Sequence, residues 1–355
     1  MNNKQKPTKP APLDSSMAST LPSTMQALVQ EVYAEPLKVK DIATPEATPG
    51  AAIVRVEIAN IVSYMRDIYN GKRKYPYPTP LVVGSSALGR VVAVGPDATS
   101  LQPGQLVFVD AVIRGRDDPG AVFLSGVIEG GSEGSKKLMR GEWRNSTFAQ
   151  YVKAPLECCI PLDEKKLTAK PEDGGQGYDL ARLAYVSMLL VPFGGFRSIN
   201  VQPGETVIIA PATGGFGGAA VHMALALGAR VIALGRNTES LAKLKKLSDR
   251  VETVRMTGNL DEEIAALAKI GKADAFLDIS PPAAANSTHM KASILSLRHG
   301  GRVSLMGGIR SDVSLPYHFI MRNDITIKVS AALQLYREPE AKIRIRVSGC
   351  MTEMT

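Results

Sequence analysis

Residues 205–237 read ETVIIAPATGGFGGAAVHMALALGARVIALGRN. Thr206–Ala210 is a short apolar run with the β-branched content of a buried parallel strand. The loop Pro211-Ala212-Thr213-Gly214-Gly215-Phe216-Gly217-Gly218 follows. Beyond it Ala219–Leu227 has helical character, Gly228 is its C-terminal stop, and Arg230–Leu234 is a second strand. Strand, glycine-rich turn, helix and strand form the βαβ unit that holds a dinucleotide. Such a unit needs one small residue for the tight turn, one for backbone approach to the pyrophosphate, and one for close helix–strand packing. The phosphates then meet unpaired N–H groups and the positive end of the helix dipole. Counted from the strand, the spacing is Ala212-x-Gly214-x-x-Gly217, with alanine at the first glycine position. The frame Gly215-x-Gly217-x-x-Ala220 also fits, and a ligand-free glycine loop is the competing reading. The residues expected to line the cofactor here are Ala212, Thr213, Gly214, Gly215, Phe216 and Gly217.

The end of the second strand selects the dinucleotide. An NAD site carries Asp or Glu about 20 residues past the glycines, bonded to the ribose 2′-OH. This strand instead ends Leu234-Gly235-Arg236-Asn237. Gly235 leaves room, Arg236 offers a planar fork suited to phosphate, and Lys243, Lys245 and Lys246 add positive charge. NADP(H) is the expected cofactor, held by Gly235, Arg236 and Asn237; otherwise Arg236 is a solvated residue after a strand.

At 355 residues the chain exceeds what one hydrophobic core serves, so two domains are expected. No apolar run approaches a membrane span, so no membrane partner is expected. The net charge of +8 comes from scattered residues rather than a basic block beside stacking aromatics. A nucleotide cofactor accounts for it more simply than nucleic acid does. Three cysteines, two of them adjacent, make no disulfide framework and suggest a reducing, cytoplasmic setting. Residues 1–24 are polar and proline-rich, and a disordered tail is the expectation, with Met17 and Met25 as alternative starts.

From Met25 onward short strands dominate: Met25–Gln30, Leu37–Asp41, Ala52–Ala59, two within Leu81–Gly95, Gln105–Asp110 and Ser146–Lys153. Gly115–Arg144 is polar and glycine-rich and is expected to be a loop outside the core. The spacing suggests a compact, barrel-like β domain over residues 25–185. From about residue 178 helices and strands alternate. Tyr178–Leu190, Thr238–Leu247, Leu260–Ile270 and Ala283–Leu297 are expected as helices, and Val251–Arg255, Ala273–Ile279, Gly301–Met306 and Ile325–Val329 as strands. The fold class is therefore α/β, with a Rossmann doubly wound parallel sheet over residues 186–330.

A β domain containing VGSSALGRVVAVG, followed by this nucleotide-binding unit, resembles the medium-chain dehydrogenase/reductase superfamily. The resemblance is carried by Ile61–Gly71, Val83–Gly95, Gly104–Phe108, Phe148–Val152, Glu205–Asn237 and GGRVSLMGG at Gly300–Gly308. It implies a GroES-like substrate domain, a cleft between the two domains for nicotinamide and substrate, and often a dimer or tetramer; a homodimer is the expectation. Zinc-dependent members carry a cysteine where Val62 stands, His-Glu where Ser85 and Ser86 stand, and a third ligand near Ser187. The cluster of four cysteines for structural zinc is missing as well. Cys158 and Cys159, adjacent on an extended segment, should point in opposite directions, and the four histidines form no close ligand pair. No metal is expected, and the chain resembles the zinc-free quinone- and enoyl-reductase branch.

Without a Lewis acid, hydrogen-bond donors must stabilise developing oxyanion charge. A quinone, or a C=C conjugated to a carbonyl, spreads that charge and needs fewer donors. The expected reaction is NADPH-dependent hydride transfer to an enone, enoyl or quinone substrate. The alternatives are a zinc-free alcohol or carbonyl dehydrogenase and a non-catalytic NADPH-binding protein. By the same resemblance Tyr64 replaces a relay hydroxyl and Asp67 a relay histidine. Tyr64 is a candidate proton donor and Asp67 a candidate to orient it, against the reading that YMRDIY is a turn of helix covered by Tyr64. Trp143 either lines the cleft or packs on the β domain. At the ends of two later strands lie Asp278-Ile279-Ser280 and Met306-Gly307-Gly308. Backbone at Ser280, Met306, Gly307 and Gly308 is expected near the nicotinamide, with Asp278 a plain strand-end residue. The last stretch, 331–355, does not resemble the superfamily's usual return to the β domain; Lys342–Val347 has the alternation of an edge strand.

Overall fold

A computed structural model describes residues 21–329. Residues 1–20 and 330–355, with the expected tail and the edge strand at Lys342–Val347, lie outside the described residues.

The C-terminal half is built on a six-stranded sheet in which every neighbouring pair is parallel. Its order is Val251–Arg255, Arg230–Gly235, Thr206–Ala210, Ala273–Asp278, Leu297–Leu305, Thr326–Val329. Counted along the chain this is 3-2-1-4-5-6, the doubly wound order of dinucleotide-binding sheets. Side-chain alternation divides the apolar residues between two faces. Val207, Ile209, Val231, Ala233, Ala275 and Leu277 pack on one side with the helices Val186–Ser198 and Gly215–Ala226. Ile208, Ala210, Ile232, Leu234 and Phe276 pack on the other with Leu260–Ile270 and His289–Leu295. Both faces are covered, which explains strands that are continuously apolar rather than alternating. Ile208, Ile209, Ile232 and Phe276 are wholly buried, each contributing roughly 1.5–3 kcal/mol of transfer free energy.

The N-terminal half is antiparallel. A five-stranded sheet runs Cys159–Pro161, Leu106–Val109, Ala87–Val94, Ala51–Ala59, Tyr151–Pro155. A three-stranded sheet runs Lys38–Ala43, Thr24–Gln30, Leu81–Val82. Residues 146–150 join the two sheets: Ser146 N–H donates to Val82 O, and Leu28 N–H to Phe148 O. Leu183, Ala184 and Leu190 of the connecting helices pack with Leu88 and Phe108 of the antiparallel half, which seats the two halves together.

Three expectations are corrected. Gly115–Arg144 is not a loop outside the core. It holds the hairpin strand Val122–Leu124 and the helix Glu133–Arg140, whose Phe123 and Met139 are fully buried. Its apolar residues are sparse because each short element contributes one or two, and its glycines serve turns at Gly126 (φ 71°) and Gly130 (φ 76°). The expected helix Ala283–Leu297 shrinks to His289–Leu295, since the prolines at 281 and 282 hold the chain in a single 3₁₀ turn and Leu297 already pairs with Ala273. The helix expected at Tyr178–Leu190 divides at Tyr185 into Leu180–Ala184 and Val186–Ser198.

Candidate active site

The phosphate-binding candidate follows from the way Thr206–Ala210 turns into the helix Gly215–Ala226, four residues earlier than the sequence pattern places its start. Gly214 precedes this helix in extended conformation, and no side chain caps the N–H groups of the first turn. A Cβ at Gly214 would have nothing within 4 Å. Gly217 faces the opposite way: its Cβ would stand 2.1 Å from Pro211 O and 2.8 Å from Ala212 Cα. The helix thus approaches the turn at a distance only glycine allows, while open backbone lies at Gly214 and Gly215. That distribution matches the frame Ala212-x-Gly214-x-x-Gly217; the other frame needs open space at Gly217, which is buried. Alanine is tolerated at the first position because Ala212 has no positive φ; it is wholly buried and donates to Leu234 O at 2.7 Å.

Thr213 lies against the end of the second strand, where a Cβ at Gly235 would come within 2.5 Å of its Cγ2. Arg236 and Asn237 are exposed. Asn237 Oδ1 accepts from Ser240 N–H at 2.8 Å and so caps the helix Thr238–Lys245. The Arg236 guanidinium has no hydrogen bond or ion pair with a described residue. Of the neighbouring lysines, Lys245 is engaged by Glu252 at 2.7 Å.

Asp278 is more than a strand-end residue. It is 2 % exposed, and Ser280 Oγ donates to its Oδ1 at 2.5 Å. His289, fully buried, places Nε2 2.8 Å from Ser280 Oγ and 3.3 Å from Asp278 Oδ1, with Nδ1 2.8 Å from Ser287 Oγ. A hydrolytic triad sets the carboxylate on Nδ1 and an accessible serine on Nε2. Here both partners share Nε2 and the serine is buried, so the cluster braces the strand ends rather than attacking a substrate. Nothing in the sequence marked His289, because only the fold sets its ring against Asp278. Ser280 therefore turns its hydroxyl inward. Met306 does the same with its side chain, whose Sδ would meet a Cβ on Gly195 at 2.2 Å. Gly307 and Gly308 remain exposed as backbone, and Gly308 N–H donates to Ser280 O at 2.7 Å.

Tyr64 comes from the antiparallel half, one residue before the helix Met65–Tyr69, and reaches the first turn of the glycine helix: its ring lies 6.4 Å from that of Phe216. The Arg73 guanidinium stands 4.0 Å over the Tyr64 ring. Burial raises the Tyr64 pKa above the ordinary phenol value; Tyr75 adds to the rise and Arg73 opposes it. The group is a neutral hydroxyl donor near neutral pH. Asp67 is half-buried on the same helix, its carbonyl accepting from Arg73 N–H at 2.8 Å. Trp143 packs on the cluster formed by Phe123, Met139 and Cys158.

The positions that hold zinc in the resembling enzymes carry no suitable donors. Val62 is a hydrocarbon, Ser85 Oγ donates to Asn60 O at 3.2 Å, and Ser187 Oγ donates to Ala184 O at 3.1 Å. These residues do not fit a zinc ion. Among the described residues no three His, Cys, Asp or Glu side chains gather around one point. Cys158 and Cys159 point into separate cores, the first with Phe123 and Met139, the second with Val107 and Val152. Burial pushes the Cys159 thiol up to about 12 and Cys158 well above its usual value.

The family described as "Alcohol dehydrogenase GroES-like domain" matches residues 48–164, and that described as "Zinc-binding dehydrogenase" matches residues 215–344. An acryloyl-coenzyme A reductase of Metallosphaera sedula is 24% identical over 330 residues, 92% of this chain and 90% of that protein. An alcohol dehydrogenase of Rhizobium meliloti is 26% identical over 326 residues, covering 86% of this chain and 84% of that one. Among solved structures, the alcohol dehydrogenase TADH from Thermus sp. ATN1 superposes with a TM-score of 0.69 at 22% identity, covering 88% of this chain and 86% of that one.

Proposed function

Because the chain belongs to the medium-chain dehydrogenase/reductase superfamily, a family of oxidoreductases, we propose that it is a zinc-independent, NADPH-dependent reductase of a C=C bond conjugated to a carbonyl, or of a quinone. The observation that carries this reading is the lack of zinc ligands at Val62, a hydrocarbon, and at Ser85 and Ser187, whose hydroxyls are already committed to backbone carbonyls. NADPH, when bound, supplies the hydride. Its diphosphate fits the uncapped first turn at Gly214 and Gly215, and its 2′-phosphate fits the unpaired Arg236 beyond the close-packed Gly235. Gly307 and Gly308, held by the Asp278–Ser280–His289 cluster, offer backbone to the nicotinamide end.

Tyr64 donates a hydrogen bond to the substrate carbonyl as charge develops there, its proton retained by burial beside Phe216. Asp67 stands one helical turn away and orients the approach. A conjugated acceptor suits a site with one such donor, because its charge is shared along the π system. The acryloyl-coenzyme A reductase among the relatives acts on such a bond, and this supports the reading.

The experiment is NADPH consumption with a panel of enones, enoyl thioesters and quinones, repeated after chelator treatment and paired with elemental analysis. Turnover that survives chelation in zinc-free protein is expected. Activity confined to alcohol oxidation and abolished by chelation would overturn the proposal.

A further inference from the structure

Two arginines, one from each half of the molecule, meet beside Tyr75. Arg73 belongs to the turn that follows the helix Met65–Tyr69, and Arg310 lies two residues beyond Gly308. Arg310 Nη2 donates to the backbone oxygen of Arg73 at 2.8 Å. Both guanidinium groups stand over the Tyr75 ring, at 5.9 and 5.4 Å from its centroid, and Arg73 also covers the Tyr64 ring at 4.0 Å. Neither forms an ion pair with a described carboxylate. Elsewhere Arg90, Arg140, Arg298 and Arg302 each meet one. Lys72 and Lys74 flank Arg73, exposed and likewise unpaired among the described residues.

Like charges held around one ring repel, and an anion set between them would relieve that repulsion. The turn that carries them is conformationally specified: Gly71 has φ 74° and Lys74 φ 51°, a left-handed conformation uncommon outside glycine. Arg73 Nη1 donates to Tyr75 Oη at 3.4 Å and Arg310 Nη2 to Arg73 O, which leaves the remaining N–H groups of each guanidinium for an anion.

The geometry points to a carboxylate-binding subsite: Arg73 and Arg310 grip a carboxylate of the substrate, carried within a few bonds of the reacting C=C. The short reach follows from position, since Arg73 lies on the face of the same ring whose hydroxyl serves the substrate oxygen. A charge borne at the far end of a long carrier would fall outside this contact. The assignment rests on the reductase reading for what the carboxylate is attached to, and it selects an unsaturated oxo acid over neutral enones and quinones.

The test is calorimetric binding of 4-oxopentanoate and of its methyl ester to the full chain with NADPH, at two salt concentrations. These saturated probes need no turnover. Wild-type protein is expected to bind the acid at least about 10-fold more tightly than the ester, with the gap narrowing as salt rises. Arg310→Ala, at an exposed position, and Arg73→Lys, which keeps the charge but loses the fork, should each remove most of that gap while leaving NADPH affinity unchanged and lowering the melting temperature by no more than about 2–4 °C, as the Arg310 bond to Arg73 O or the Arg73 stack on Tyr64 is lost. Equal binding of acid and ester by the wild type would overturn the subsite. So would parallel loss of NADPH in both variants, which would assign the arginines to the cofactor. Failure of the reductase reading is read separately, as no NADPH consumption with 4-oxo-2-pentenoate or its methyl ester.

Discussion

Replacing Gly217 by alanine sets a Cβ 2.1 Å from Pro211 O, 2.8 Å from Ala212 Cα and 2.9 Å from Ala212 C, all backbone atoms that no rotamer change can move aside. Relieving the contact requires the helix Gly215–Ala226 to shift by about 1 Å from the strand end, and overpacking of this kind costs about 1–3 kcal/mol. For a domain of this size each kcal/mol lowers the melting temperature by about 2–4 °C, so Gly217→Ala should melt roughly 2–12 °C below the wild type. Gly214→Ala is the matched control. Its Cβ meets nothing within 4 Å, and its φ of −89° suits any residue, so the melting temperature should hold to about 1–2 °C. In the proposed cofactor placement, however, that methyl would occupy the space through which the diphosphate reaches the first-turn N–H groups, and NADPH affinity should fall about 10-fold or more. Thermal melts and NADPH fluorescence titration on both variants separate the two roles. A Gly214→Ala protein that binds NADPH like the wild type, beside a Gly217→Ala protein that melts normally, would refute the assignment of approach and packing.

Arg236→Ala should weaken NADPH by about 10-fold or more while NADH is little changed, because a charged hydrogen bond to the 2′-phosphate is lost and no internal partner is disturbed; equal losses in parallel titrations would remove the specificity argument. Tyr64→Phe keeps the ring against Phe216 and removes only the hydroxyl, so kcat should drop by about 100-fold with NADPH affinity intact, in steady-state assays on an enone. Cys158 and Cys159 are buried thiols held protonated by burial; the sign is a raised pKa, so little thiolate forms at neutral or mildly alkaline pH. Peptide mass spectrometry should find both unmodified by a thiol reagent in the native protein and both modified in denaturant.

The sequence alone determined the class of the nucleotide-binding half. Its strands announce themselves as β-branched runs, and the strands Thr206–Ala210 and Val251–Arg255 and the amphipathic helix Leu260–Ile270 stand where the pattern puts them, because burial against the sheet demands apolar residues that periodicity reveals. The absence of thiolate and imidazole at the zinc positions is likewise a matter of residue identity. Other features depend on packing between distant segments. Two glycine frames fit one spacing equally, and only the distances around Gly217 distinguish them. Phe123 and Met139 look like isolated apolar residues in a polar stretch until a hairpin and a helix carry them into one core. His289 gains its role from Asp278 and Ser280 across a strand end, and Arg73 meets Arg310 only because two domains close on each other. Local periodicity fixes which face of an element is buried; which buried or charged groups then meet is set by tertiary contacts that no single segment encodes.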